Sequence, residues 1–312
     1  METNIEGLKI HIEELKLKIQ TLKNEMGEGW REKIVDLYDK VMEYTKEAFG
    51  ENTEEYVYAL LYAGLMYSTL LRCSEALTLY ESALKLSLSL FGESNQLTAK
   101  SYNNVGCAYG DLFNHDKELE YQLKALKIRE EVLGERHPDT ATIYNNVGGT
   151  YGYLGNHDKE LEYKLKALKI REEVLGERHP DTIFSYNDIG CTYGCLGNHD
   201  KALEYLLKAL KIREEVLGER HPDTAQSYNN VGLFYGELGN YKKALEYMSK
   251  AREAAKTLEN REKGVLYLGN LAGVYEQMGD KENAKAVLME ALALFPEGHP
   301  DAKYTREWLE KL

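Results

Sequence analysis

The sequence predicts an all-α protein, a solenoid of stacked helical hairpins, and three observations carry that prediction. Gly-Glu-Arg-His-Pro-Asp-Thr recurs at 134–140, 176–182 and 218–224, spaced by 42 residues. A fixed period of that length marks a tandem array. Within one period, apolar residues run at three-and-four spacing through 139–154 and again through 157–175, with Gly155-Asn156 between the runs and Gly176 after them. That is the pattern of two amphipathic helices joined by a tight turn. Finally, 312 residues lie near the limit of a single core, whereas an array buries the apolar face of each hairpin on its neighbours.

Taken in order, the first element is a helix over 1–26. Its residues Ile5, Leu8, Ile12, Leu15, Ile19, Leu22 and Met26 alternate three and four apart, a heptad seam of about three heptads. Two roles fit it: a degenerate first helix lying on the next one, or a seam for dimerisation or for a partner helix. A monomer is expected, with a dimer through residues 5–26 as the alternative. The segment 30–49 matches a second helix of the period, because Phe49-Gly50 aligns with Phe91-Gly92. It makes 1–53 an N-terminal region ending in a capping or partial repeat. Hairpins then fill 54–296. Pro138 pre-sets the helical dihedral in the first turn, Asp139 favours the positive helix end, and Gly176 stops the second helix. His299-Pro300-Asp301-Ala302 opens a last helix carrying Tyr304, Trp308 and Leu309, so 297–312 is expected to cap the array.

The pattern Tyr144-x-x-Val147-Gly148-x-x-Tyr151-x-x-x-Gly155, followed by Leu161, Ala167 and Leu168, resembles the tetratricopeptide repeat. Matching tyrosines fall at Tyr67, Tyr109, Tyr151, Tyr193 and Tyr235, then at Tyr275 after a spacing of 40, which places six repeats. The 42-residue period, the segment Tyr-Asn-Asn-Val-Gly from Tyr144 and the run from Lys124 to Ala141 are similar to the kinesin light chain class of these repeats. That resemblance implies a right-handed α-solenoid whose first helices line a concave groove. There are departures from it. Ala76, Ala202, Ala244 and Ala284 suit the small position that opens the second helix, but Glu118 and Glu160 do not, and their carboxylates are expected to reach solvent. Leu71 and Phe113 replace the mid-hairpin Gly.

Charge narrows the partners. Lys and Arg number 39 against 52 Asp and Glu, a formal net charge of -13, so phosphate backbones and anionic lipid are repelled and neither nucleic acid nor membrane is an expected partner. No apolar run approaches the ~18 residues of a membrane helix, and the start of the chain is polar rather than a signal peptide. The four cysteines lack framework spacing, which suits a reducing, cytoplasmic location. No phosphate loop, nucleophile elbow or carboxylate pair stands out, so neither an enzyme nor a cofactor is expected. Cys191, Cys195 and His199 have helical spacing that would suit zinc. Because His115 and His157 recur without cysteines, however, no metal is assigned. His137, His179, His221 and His299 precede prolines at helix starts.

The binding residues are sought where near-identical repeats differ. Residues 134–175 and 176–217 differ at nine positions, seven of them on the first helix. Positions 142, 146, 149 and 153 form one stripe, occupied in successive repeats by Lys100, Asn104, Cys107 and Asp111; by Thr142, Asn146, Gly149 and Tyr153; by Phe184, Asp188, Cys191 and Cys195; and by Gln226, Asn230, Leu233 and Glu237. Beside it Asn103, Asn145, Asn187 and Asn229 form a ladder, and Asn270 joins the set in the last repeat. Each amide offers an acceptor and two donors to an extended backbone, or else one of each pair bonds to the adjacent repeat. The kinesin light chain resemblance implies the former use. Asp111, Asp188 and Glu237 against the lone cation Lys100 favour a neutral or basic extended peptide over an acidic one. The expected function is a non-enzymatic adaptor that binds such a segment in its groove. The alternative is the sensor or autoinhibitory repeat region of a larger signalling or effector protein.

Overall fold

The computed structural model describes Glu14 and residues 30–255, 261–295 and 301–312. The heptad residues Ile5 to Met26, and with them the choice between cap and dimer seam, lie outside the described residues. Fourteen helices and no strand are found among the described residues: α1 Trp30–Phe49, α2 Glu54–Thr69, α3 Cys73–Phe91, α4 Gln96–Asp111, α5 His115–Leu133, α6 Pro138–Tyr153, α7 His157–Leu175, α8 Pro180–Cys195, α9 His199–Leu217, α10 Pro222–Glu237, α11 Tyr241–Ala255, α12 Arg261–Gln277, α13 Lys281–Leu294 and α14 Asp301–Lys311. The fold is an all-α array of helical hairpins.

Helix boundaries fall where the sequence punctuates. Before α6, α8 and α10 the histidine of each His-Pro-Asp-Thr segment is the N-cap: Nδ1 of His137, His179 and His221 accepts the backbone N–H of Asp139, Asp181 and Asp223 at 3.1–3.2 Å. The following proline sits in the first turn, where no donor is missed. Between the helices of a hairpin the chain takes a positive φ, supplied by glycine at Gly155, Gly197, Gly239 and Gly279 with φ of 71–77°. At the two departures the backbone does not change its path. Leu71 and Phe113 hold φ of 59°, with side chains 86% and 87% exposed.

Two compact units divide the chain, Met1–Ile170 and Arg171–Leu312. In the first, α1 to α6 pack each on the next, and the core runs through Val57, Leu60, Ala76, Tyr80, Ala83 and Val105 to Ala125, Tyr144, Val147 and Ala167. In the second, α8 to α14 pack in the same serial manner, with Tyr186, Ile189, Leu206, Tyr228, Met248, Leu271 and Leu288 almost wholly buried. Each such side chain contributes about 1.5–3 kcal/mol of burial.

Candidate functional site

First helices approach second helices at glycines. A Cβ on Gly106 would meet the carbonyl of Glu118 at 3.1 Å, and one on Gly148 the carbonyl of Glu160 at 3.1 Å. One turn on, Gly110 and Gly152 are faced not by backbone but by carboxylate: a Cβ there would meet Glu118 or Glu160 oxygens at 2.6 Å. The expectation that these carboxylates reach solvent is therefore overturned, since both residues are 8% exposed. Donors on their own helix hold them. Glu118 pairs with His115 Nδ1 at 2.8 Å and accepts from Gln122 Nε2 at 3.0 Å, while Glu160 pairs with His157 Nδ1 at 2.7 Å and Lys164 Nζ at 2.6 Å. Gln122 in turn accepts from Thr150 Oγ1 of the next repeat at 2.7 Å. Where Ala202 and Leu206 replace the polar pair, the ring of Phe234 lies 2.8 Å from the Cβ position of Gly194. Substitutions at 160 and 164, outside the stripe, thus change as a packing set.

Of the seven differing positions on the first helix, three belong to the core: Ala141, Ile143 and Val147 are buried, as are Ile183, Ser185 and Ile189. Ser185 Oγ takes a hydrogen bond from Arg171 Nη1 at 2.7 Å, and Ser227 one from Arg213 Nη1 at 2.8 Å. Burial holds both guanidinium groups below the usual arginine range. The other four positions form the accessible stripe. Thr142, Tyr153, Phe184, Cys191, Cys195, Gln226 and Glu237 are exposed, while Lys100, Asn104, Cys107, Asn146, Gly149, Asp188, Asn230 and Leu233 are half-buried. Neighbours orient several of them. Lys100 Nζ lies 5.5 and 5.6 Å from the Tyr58 and Tyr62 rings, Tyr153 stacks on His115 at 4.7 Å, and Asp111 accepts from Ser68 Oγ at 2.6 Å. The Cys107 thiol is pushed up to about 12 by burial, then by Glu118 and Asp111, which keeps it protonated and unreactive.

The amides form a bonded ladder. Asn146 Nδ2 donates to Asn103 Oδ1 at 3.0 Å, Asn230 to Asn187 at 3.0 Å, and Asn270 to Asn229 at 2.9 Å. Of the two uses weighed from the sequence, the bond to the adjacent repeat is thus made. It occupies one atom of each amide and fixes the direction of the rest. Asn104, Asn145, Asn146, Asn187, Asn230 and Asn270 remain half-buried, but Asn229 is only 4% exposed and is closed to a ligand in this conformation. Asn145 Oδ1 is buried without a partner.

Sequence reasoning missed a cavity of about 370 Å³ lined by Leu233, Gly236, Glu237, Leu266, Gly269, Asn270, Gly273, Val274, Gln277 and Trp308. The signal for it was present: Gly269, 40 residues after Asn229, stands where earlier repeats carry the ladder Asn. Among the described residues no three His, Cys, Asp or Glu side chains converge as metal ligands, and no helix is long and apolar enough to cross a membrane.

The tetratricopeptide repeat family profile matches residues 72–131, 97–173, 139–215, 194–257 and 223–297. The chain belongs to the tetratricopeptide repeat family. Such repeats generally form non-catalytic scaffolds for protein interaction. No curated protein matches the sequence. Among solved structures, the apo form of RapI is 19% identical with a TM-score of 0.69, the alignment covering 96% of this chain and 79% of that one. A kinesin light chain-like protein from Podosopora anserina with nearly identical tetratricopeptide-like repeats is 19% identical, with a TM-score of 0.59 over 65% of this chain and 97% of its own. A signal transduction ATPase with a tetratricopeptide repeat sensor from Pyrococcus horikoshii is 20% identical, with a TM-score of 0.63, the alignment covering 88% of this chain and 40% of that one. These likenesses show the fold.

Proposed function

We propose that the chain is a non-enzymatic adaptor whose first helices bind an extended segment of a partner protein, neutral or basic in charge. The observation that carries this reading is the distribution of differences between near-identical repeats. Where 134–175 and 176–217 differ on the protein surface, they differ along one accessible stripe, and the positions between are kept. Solvent-facing residues free to drift would vary on every exposed face. The stripe also carries exposed aromatics, Tyr153 at 75% and Phe184 at 48%, of the kind that anchors a partner. Beside it, the cross-bonded amides hold their remaining donors and acceptors in fixed directions, so a peptide backbone meets them at a reduced ordering cost. The likeness to part of the Pyrococcus ATPase, a protein with a tetratricopeptide repeat sensor, supports a second reading, in which these repeats are the sensing or autoinhibitory part of a larger signalling protein.

Partner capture followed by mass spectrometry supplies the ligand, and substitution then tests the site. Asn145→Ala with Asn187→Ala should weaken every groove ligand alike, by about 1–3 kcal/mol for the pair. Phe184→Ala or Tyr153→Ala should instead change which segment is preferred, with helicity and melting temperature retained. A partner indifferent to all four changes binds elsewhere, and the proposal fails.

A further inference from the structure

The cavity between α10, α12 and α14 is built from the same positions as the accessible stripe. Leu233 and Glu237 are stripe residues of the fifth repeat, and Leu266, Asn270, Gly273 and Gln277 stand 40 residues after Gln226, Asn230, Leu233 and Glu237. It is open because of what the last repeat lacks. A Cβ on Gly269 would meet nothing within 4 Å, whereas the corresponding position in four earlier repeats carries an asparagine. At Gly273 a Cβ would only touch Trp308, at 3.9 Å. The indole of Trp308 lines the cavity and is held there, its Nε1–H donating to Glu276 at 2.8 Å.

The chemistry of the lining selects an occupant. Leu233, Leu266, Val274 and Trp308 make the walls apolar, and 370 Å³ is enough for one large side chain with part of its backbone. Glu237 lies at the wall with no ion-pair partner among the described residues, and the stripe positions of α8, α10 and α12 include Asp188 and Glu237 but no cation. A buried apolar group is attracted to such a site, and an acid beside it is repelled.

We propose that this cavity is the anchoring pocket of the groove. It receives one large aliphatic or aromatic side chain of an extended peptide, and a lysine or arginine next to that residue pairs with Glu237. The inference rests on the groove reading above and adds the side chain that the groove selects.

The test uses the full chain and an array of blocked ten-residue peptides in a Ser/Ala background. Each carries Leu, Phe or Ala at one central position and Lys or Glu on either side of it. The strongest binder is then measured by fluorescence polarisation. Leu or Phe flanked by Lys should bind best, and Gly269→Leu, which fills open space in a helix, should weaken that peptide about tenfold or more without lowering the melting temperature. Glu237→Lys should move the preference towards Glu flanks. Equal binding of the Ala peptide, or preference of the unaltered protein for Glu flanks, overturns the pocket. So does binding that survives Gly269→Leu; if it is still lost on Phe184→Ala and Asn187→Ala, the groove reading stands alone. A concentration-dependent dimer abolished by Gly269→Leu would assign the cavity to a second copy of the chain and overturn the peptide assignment. No peptide binding below about 1 mM overturns both readings.

Discussion

Leu71 and Phe113 occupy the one hairpin position where the other repeats use glycine, and they hold φ of 59° with their side chains in solvent. A left-handed conformation costs a residue with a Cβ about 1–2 kcal/mol, while glycine gives back part of that through its freer unfolded chain. Phe113→Gly should therefore raise stability by roughly 0.5–1 kcal/mol, seen as a higher melting temperature in calorimetry. A lower one would mean that the exposed ring holds the turn through contacts. The departure itself was visible in the sequence; that the backbone keeps the strained path was not, because a turn of altered length would have satisfied the same residues. Glu118 and Glu160 teach the opposite lesson. Their fate was legible in principle, since His115 and Gln122 stand at i−3 and i+4, but weighing burial against a lone carboxylate pointed to solvent.

At the scale of the helix junction, the repeats exchange a polar lock for an apolar one. Glu118, Gln122 and Thr150 are joined by hydrogen bonds, and Ala202, Leu206 and Phe234 fill the equivalent space with carbon. Glu118→Ala alone should cost about 1–3 kcal/mol, because the Gln122 amide stays buried with fewer partners. Adding Gln122→Leu and Thr150→Phe should recover most of the loss in thermal unfolding. Failure to recover would show that the two sets are not interchangeable. Tyrosines tie consecutive helices as well: Tyr144, Tyr186 and Tyr228 donate to Glu130, Glu172 and Glu214 at 2.5 Å. Burial, then these carboxylates, raises their phenols above the ordinary value of 10, that of Tyr186 to about 12. The unfolded chain gives up these protons first. The contribution is thus whole below about pH 10 and lost as pH climbs through the folded values. Melting temperature should fall as pH rises from about 10 to about 12. A phenolate absorbance that titrates in a single step near 10 would contradict this.

For the molecule as a whole, the period, the helix starts at His137, His179 and His221, and the tetratricopeptide assignment were all legible, because repetition shows each local rule several times in one chain. The stripe was legible for the same reason: differences stand out against identical neighbours. The cavity escaped notice because its cause is a missing side chain at Gly269 together with Trp308, which lies outside the period altogether. If a constant scaffold presents a variable stripe that selects the ligand, moving one stripe side chain must change the ligand. Exchanging Thr142 and Phe184, as Thr142→Phe with Phe184→Thr, moves one aromatic by a repeat while leaving composition and charge unchanged. Peptide-array profiles of the original and exchanged proteins measure the consequence directly. The helical signal should stay the same and the set of preferred peptides should change; an unchanged set at unchanged affinity would rule out a stripe that selects the ligand.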